Sequence, residues 1–437
     1  MEIRDPIHGP IPVTPGEQAV IDSPWFQRLR RIKQLGFAEL AFPGATHNRY
    51  LHSVGVMHLA GQAFDAVFRG ADWLPAADRN RVRQVLRLAA LCHDIGHAPL
   101  SHTSESLFPA IRELNLPLLK GADSQAQARH EHYTLKLLLD SDLADVIRTR
   151  FTDLSVLPEH VAALLHTEVD CDVDTFVVNG RDLQGVLSAL VSGEVDVDRM
   201  DYLLRDSHYT GVSYGKFDYD WLLSHLTHHV ADDGRVYLAV QDRAIYTFDD
   251  FLLSRYHMFL MVYFHSKVVC YDHMLRRFYQ ELPTGFQIPA DPAGFLDWDD
   301  GAIYTALRQH RGSKWGRSIL AGRPLKVIAE RGPHARVDPI DGLEERLQAS
   351  GLDYLRVTSE GALSKYRGKS DPGRAISVQI KPRVGAPHFI PLSEATRLYQ
   401  RYDEAAVLER LYVHAEDREQ VARWIVDLRQ GGAQGDD

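Results

Sequence analysis

Cysteine is scarce: Cys92, Cys171 and Cys270 are the only three in 437 residues, far apart and without a Cys-x-x-Cys pair. That excludes a disulfide framework and suits a reducing compartment. Positive charge is short as well, with 49 Lys and Arg against 59 Asp and Glu for a net charge of −10, which argues against a generic nucleic-acid surface. The opening Met1-Glu2-Ile3-Arg4-Asp5 lacks the basic-then-apolar layout of a signal peptide. In the apolar stretch Phe251 to Val269, Arg255, His257, His265 and Lys267 interrupt the run, so it reads as a buried helix rather than a membrane span. There is no internal repeat. The expectation is a cytoplasmic enzyme, and 437 residues exceed one ordinary core, so two lobes are expected.

Histidine, by contrast, is concentrated. Cys92-His93-Asp94-Ile95-Gly96-His97-Ala98-Pro99-Leu100-Ser101-His102 collects three imidazoles and a carboxylate beside an apolar helix. Val82, Val85, Leu86, Ala89 and Ala90 follow helical spacing and His93 continues their face, so it points inward. Adjacent residues on a helix diverge by about 100°, so His93 and Asp94 reach one ion only at the seam between them, and further ligands must come from elsewhere. Gly96 and Pro99 break the helix where His97 and His102 can turn into a cavity. His52 sits one turn before the inner stripe Val56, Leu59, Ala60, Ala63 and Val67, whereas His58 lies off that stripe and reads as ordinary. Asp198, Tyr202 and Asp206, at i, i+4 and i+8, stack two carboxylates and a phenol on one helix face. Like charges so placed are accounted for by a cation at Asp198 and a hydroxylated ligand at Asp206.

Arg49-x-x-His52, His93-Asp94 and a distant Asp198 resemble the ligand order of the HD-domain phosphohydrolases. Asp5 to Gly9, Phe26 to Gly36, Phe42 to Ala45, His93 to His102 and Asp196 to Tyr214 look like that superfamily's deoxynucleoside triphosphate (dNTP) triphosphohydrolase branch. The branch includes many bacterial enzymes and the catalytic core of the vertebrate sterile-alpha-motif HD protein. The likeness is clear to about residue 280 and loose beyond it. It implies metal ligation by His52, His93, Asp94 and Asp198, and a catalytic pocket holding Arg49, His97, His102, Glu105, His130 and Glu131. It also implies that Arg49, Arg199 and Arg255 face phosphates, that Gln34, Leu35, Tyr202 and Asp206 meet the sugar, and that Tyr263 stacks near it. Arg255 and Tyr263, at i+8, share one face of a long helix on this reading. Asp22, Gln27 and Arg30 match positions that bind an activating guanine nucleotide between subunits in allosteric members, which implies a tetramer or hexamer. Asp22-Ser23-Pro24 caps the helix carrying Gln27 and Arg30, and that helix would connect Arg30 to Gln34. Glu105, Arg199, Phe264 and Arg4 depart from residues found in some members.

Two imidazoles and two carboxylates leave open positions on an octahedral ion, suiting Mn, Fe or Mg above a closed zinc site, with Mg accompanying the triphosphate. His102 paired with Glu105 is the candidate general acid for a departing 5′ oxygen. Dideoxynucleotides and ribonucleotides are expected to be poor substrates. Two other readings stay open: a different HD phosphohydrolase activity on nucleotide monophosphates or cyclic nucleotides, and a nucleotide-responsive interaction protein. No Gly-Tyr-Pro signature of the cyclic dinucleotide branch is present.

The fold expected is mainly α, an HD-domain helical core over 1–285 and a smaller α+β lobe over 286–437, divided by the Pro- and Gly-rich Pro283 to Gly301. A hairpin turning at Asp232-Asp233-Gly234 is the one exception to helix in the core. Strand candidates in the lobe are Leu325 to Ala329, Tyr354 to Thr358, Ile376 to Ile380 and Leu408 to His414, with helices near Glu344 and Glu416. Ser359 to Arg374 reads as a flexible basic loop, Asp170 to Asp174 as a solvated acidic turn, and the tail from Gly431 as disordered.

Overall fold

The computed structural model describes residues 1–116, 125–166, 169, 173–283, 285–332, 339–361, 376–396, 398 and 406–432. Of the expected basic loop, Ser359 to Gly361 instead end the strand Tyr354–Gly361, and of the expected tail Gly431 and Gly432 end the helix Arg418–Gly432; residues 362–374, most of the acidic turn and residues 433–437 lie outside the described residues.

The chain is mainly α. At its centre runs the helix Arg49–Val67, started by Asn48, whose side chain accepts from the Leu51 amide. It is buried on almost every side, as a helix apolar all round must be. Helices Ala76–Cys92 and Val197–Thr210 pack against it. Gly55 makes the second contact: a Cβ there would lie 2.0 Å from Asp201 Oδ1 and 2.4 Å from an Arg205 nitrogen.

Besides the hairpin Leu226–Val230 and Val236–Gln241, the core holds a second that helical periodicity does not announce. Glu2–Asp5 pairs with Gly9–Pro12, and Gly9 turns the chain at φ +70°. The segment read as one long helix is two. Ile245–Met258 passes into a π-turn over Phe259–Tyr263, and Ser266–Gln280 starts afresh after a cap at His265. Arg255 and Tyr263 therefore do not share a continuous helix face.

Three of the four expected lobe strands form one sheet. Lys326–Arg331, Ala406–Val413 and Tyr354–Gly361 make an antiparallel sheet, covered by Ile340–Ser350 and Arg418–Gly432 around a small core of Ala329, Leu343, Leu347, Leu411 and Val421. Ser377–Ile380 lies elsewhere. It pairs in parallel with Val236–Gln241 of the core hairpin and antiparallel with His388–Pro391. Residues on both sides of position 285 also tie together: Asp300 accepts from the Leu100 and Lys33 amides, and Arg28 donates to the Trp298 carbonyl.

Candidate active site

The helix Ala76–Cys92 stops one residue before the His-Asp pair. That break lets neighbouring side chains converge. His93 donates Nδ1–H to the Ala90 carbonyl at 2.8 Å, which turns Nε2 toward the helix Arg49–Val67. There His93 Nε2 lies 3.4 Å from Asp94 Oδ1 and 3.5 Å from Asp198 Oδ1, buried and without a hydrogen-bond partner among the described residues. His52 Nε2 lies 3.0 Å from Asp198 Oδ1 and 3.6 Å from Asp94 Oδ2. Burial alone would depress the His52 imidazole, but hydrogen bonds to Asp198 and Asp201 lift it to about 10. Despite burial, the Arg49 charge with His93 and His97 holds Asp94 well below the ordinary carboxylate range, and hydrogen bonds from His52 and His93 hold Asp198 there. His52, His93 and Asp94 offer ligand atoms within 4.8 Å of one another, and Asp198 Oδ1 stands beside both imidazoles, a set of donors that fits a divalent cation.

A layer behind these four escaped the sequence reading. Asp201 Oδ2 accepts from His52 Nδ1 at 2.8 Å, the carboxylate–histidine pairing that orients metal-ligating imidazoles. Asp201 in turn binds Arg205 through both oxygens, at 2.8 and 2.9 Å, and His8 Nε2 at 2.7 Å. Arg205 reaches Asp5 Oδ2 at 2.9 Å, and Asp5 Oδ1 accepts from the Ile7 and His8 amides. The N-terminal hairpin turn is thus bolted to His52. Asp201 stands three residues after Asp198, and Asp201 and Arg205 form an i, i+4 pair, signals that were there to be read.

Gly96 sets the next group. A Cβ on it would fall 2.3 Å from both the His130 carbonyl oxygen and the Thr134 amide nitrogen, so only glycine admits the helix His130–Leu139 this close. Thr134 fastens the approach, accepting from the Gly96 amide and donating to the His93 carbonyl. His97 and His130 then stack at 3.9 Å. Leu100 and Ser101 both adopt left-handed conformations, φ 52° and 59°, which turn the chain into the 3₁₀ segment Ser101–Leu107. Glu105 Oε1 meets His102 Nδ1 at 3.0 Å and His130 Nδ1 at 2.6 Å. Those two bonds keep Glu105 far below the usual carboxylate range although burial opposes it. Burial and the Arg49 charge hold His97 well below the ordinary histidine value. Glu131 lies 3.6 Å from His130 Nδ1 and lines the same cavity.

Two compartments meet here. One, of about 420 Å³, is lined by His52, His93, Asp94, His97, His130 and Asp198. The other, of about 360 Å³, is lined by Leu35, Phe259, Val262, Tyr263, Val268 and Asp206 among others. Gln34, Arg49, His102 and Tyr202 belong to both walls. Arg49 forms an ion pair with Asp94 and donates Nε–H to Ser101 Oγ at 3.0 Å. Tyr263 donates to Asp206 Oδ2 at 2.8 Å, and His47, unforeseen from sequence, holds Oδ1 at 2.8 Å. Arg199 and Arg255, expected at the phosphates, line neither compartment. Buried acids draw them away: Arg199 lies 3.6 Å from Asp196 and 3.9 Å from Glu194, and Arg255 lies 3.8 Å from Glu194.

The expected regulatory trio is local to one turn. Ser23, not Asp22, caps the helix Pro24–Arg28. Gln27 donates to the Ile21 carbonyl and accepts from Arg30 Nε, both at 2.8 Å, while the Arg30 guanidinium sits 3.6 Å above the Tyr50 ring. Arg30 and Gln34 are not on one helix. The 3₁₀ turn Leu29–Arg31 ends in extended backbone at Ile32, and Lys33 bridges to Asn48.

Residues 49–155 match the family described as HD domain. The uncharacterized protein YwfO of Bacillus subtilis is 33% identical over 283 residues, 64% of this chain and 55% of that protein. The deoxynucleoside triphosphate triphosphohydrolase SAMHD1 of Danio rerio is 29% identical over 69% of this chain and 47% of its own length. Its homolog in Dictyostelium discoideum is 28% identical over 92% of this chain and 71% of its own length. The chain thus spans about half the length of the first two of these relatives. In structure it is similar to a hypothetical protein from Aquifex aeolicus, with a TM-score of 0.72, 25% identity, and 97% and 99% of the two chains covered. Its His-Asp pair stands inside the matched region and faces two further candidate ligands across the core, so residues 49–155 carry an HD domain.

Proposed function

We propose that this protein hydrolyses dNTPs to deoxynucleoside and triphosphate. The observation that carries this reading is the shared wall: an imidazole- and carboxylate-lined compartment opens beside a largely apolar one, and His102 stands at their junction. A triphosphate on the polar side and a nucleoside on the apolar side would bring the bond between the α-phosphorus and O5′ to that junction. A divalent ion, Mn, Fe or Mg, held by His52, His93, Asp94 and Asp198 would supply Lewis-acid chemistry at the phosphate. Arg49 adds a fixed positive charge beside the ligands. Water forms the new bond to phosphorus, the bond to O5′ breaks, and the electron pair leaves on O5′. His102, with Nδ1 turned to Glu105, presents Nε2 as the proton donor to that oxygen. Asp206 and Tyr263, pre-bonded to each other and to His47, offer a rigid polar edge to a 3′ hydroxyl.

The test is incubation with each dNTP and each of the three metals, with the phosphate product identified by ³¹P NMR. Inorganic triphosphate and deoxynucleoside are expected. Release of pyrophosphate or orthophosphate instead would reject the reading, and turnover of monophosphates or cyclic nucleotides alone would replace it.

A further inference from the structure

The apolar compartment contains an acid that the proposed chemistry does not use. Asp272, on the helix Ser266–Gln280, lines the wall together with Leu35, Ala38, Val262 and Val268. Its Oδ1 accepts from the buried Thr103 hydroxyl at 2.8 Å, which fixes the carboxylate plane. Its Oδ2 has no hydrogen-bond partner among the described residues. Asp206, the other acid in this wall, is different: both of its oxygens are already engaged, by His47 and Tyr263. Burial opposes the Asp272 charge while the Thr103 bond and the Arg276 guanidinium favour it, and a further donor at Oδ2 would add to that support.

We propose that Asp272 reads the base of the bound nucleotide, selecting bases that present an exocyclic amino group and disfavouring thymine. This deepens the dNTP reading and rests on it. Adenine and cytosine carry an N–H₂ that can donate to the open Oδ2, and guanine can donate its own only by presenting the opposite edge, since it carries O6 where adenine carries the amino group. Thymine offers two carbonyl oxygens flanking a single N–H, and those oxygens repel a carboxylate brought to that edge. Burial lifts the Asp272 carboxyl to about 6 against the Thr103 bond, so at neutral pH it is ionised and only accepts.

The experiment compares kcat/KM for dATP, dGTP, dCTP, dTTP and the triphosphate of purine deoxyriboside, which lacks the amino group. The amino-bearing substrates should exceed the other two by roughly ten- to a hundredfold. Asp272→Asn, whose amide both donates and accepts, should shrink that ratio severalfold and raise turnover of dTTP. Should circular dichroism show this variant unfolded, Thr103→Val serves in its place, because losing the hydroxyl that aims the carboxylate should shrink the same ratio. Equal rates for all five substrates, or an unchanged ratio in a folded variant, would overturn the assignment. If no dNTP is hydrolysed, equilibrium binding of deoxyadenosine, purine deoxyriboside and thymidine separates the two ideas. Deoxyadenosine preferred retains base reading and rejects hydrolysis, whereas equal binding rejects both.

Discussion

Individual side chains divide sharply between those whose role could be read from spacing and those whose role depended on a partner far along the chain. The convergence of His52, His93, Asp94 and Asp198 on one point was legible because helical periodicity shows which positions face inward. Arg199 was misplaced because periodicity does not reveal which buried acid will claim a guanidinium, and Asp196 and Glu194 claim this one. Asp201 was missed because it points at Gly55 and His52 rather than along the Asp198–Tyr202–Asp206 face. Asp201→Asn should lower metal affinity roughly ten- to a hundredfold, read by titration of the folded apoprotein with Mn²⁺. Unchanged affinity would remove Asp201 from the support of His52. At the proposed general acid, His102→Ala should reduce kcat by about 10²–10⁴-fold with KM little changed, and Glu105→Gln should reduce it less. A larger effect on KM than on kcat would make His102 a binding residue instead.

Elements are held to one another at a few close points, and these are where single substitutions should act over distance. Gly96→Ala drives a methyl into the backbone of His130–Leu139 rather than into a yielding side chain. It should cost about 1–3 kcal/mol or more of stability and pull the His97–His130 stack apart, lowering activity beyond what the stability loss explains. Chemical denaturation and rates below the unfolding transition check both parts, and wild-type values for both would show that the two elements can part freely. The left-handed pair Leu100 and Ser101 depends on Asp300, whose carboxylate receives the Leu100 amide at 2.7 Å and the Lys33 amide at 3.0 Å. Burial lifts this carboxyl to about 6 in spite of the two donors. A folded pKa above the unfolded value of about 3.9 means that the contribution is complete below that value and is lost as pH climbs through the folded one. Relative to wild type, Asp300→Asn should therefore gain stability between about pH 4 and 7, by up to about 3 kcal/mol. A difference in melting temperature that is flat across that range would contradict this. Most helices were readable from their stripes. The hairpin at residues 2–12 was not, because prolines at positions 6, 10 and 12 mask strand alternation, and a π-turn has no signature in a 3.6-residue period.

Over the whole molecule, the mainly helical core and the small α+β lobe were both legible, since a lobe-sheet strand such as Tyr354–Gly361 alternates buried apolar with exposed residues between turn residues. Which sheet a given run joins was not legible, because Ser377–Ile380 and Tyr354–Gly361 look alike until their partners are known. Regulation by a second nucleotide at Asp22, Gln27 and Arg30 requires Arg30 to leave the Tyr50 ring or to be approached there. Velocity against concentration for each dNTP, alone and in pairs, with sedimentation of the same samples, should show stimulation together with a growing oligomer. Hyperbolic curves with a constant sedimentation coefficient would reject regulation and leave catalysis untouched. The parallel seam between Val236–Gln241 and Ser377–Ile380 also orders events on the ribosome. While the chain is being made, the inner strand of the core hairpin has one unpaired edge until residues 377–380 emerge, long after His52, His93, Asp94 and Asp198 have been synthesised. A nascent chain stalled in that interval carries all four of those side chains beside an open strand edge, a state exposed to pairing with a neighbouring chain on the same message.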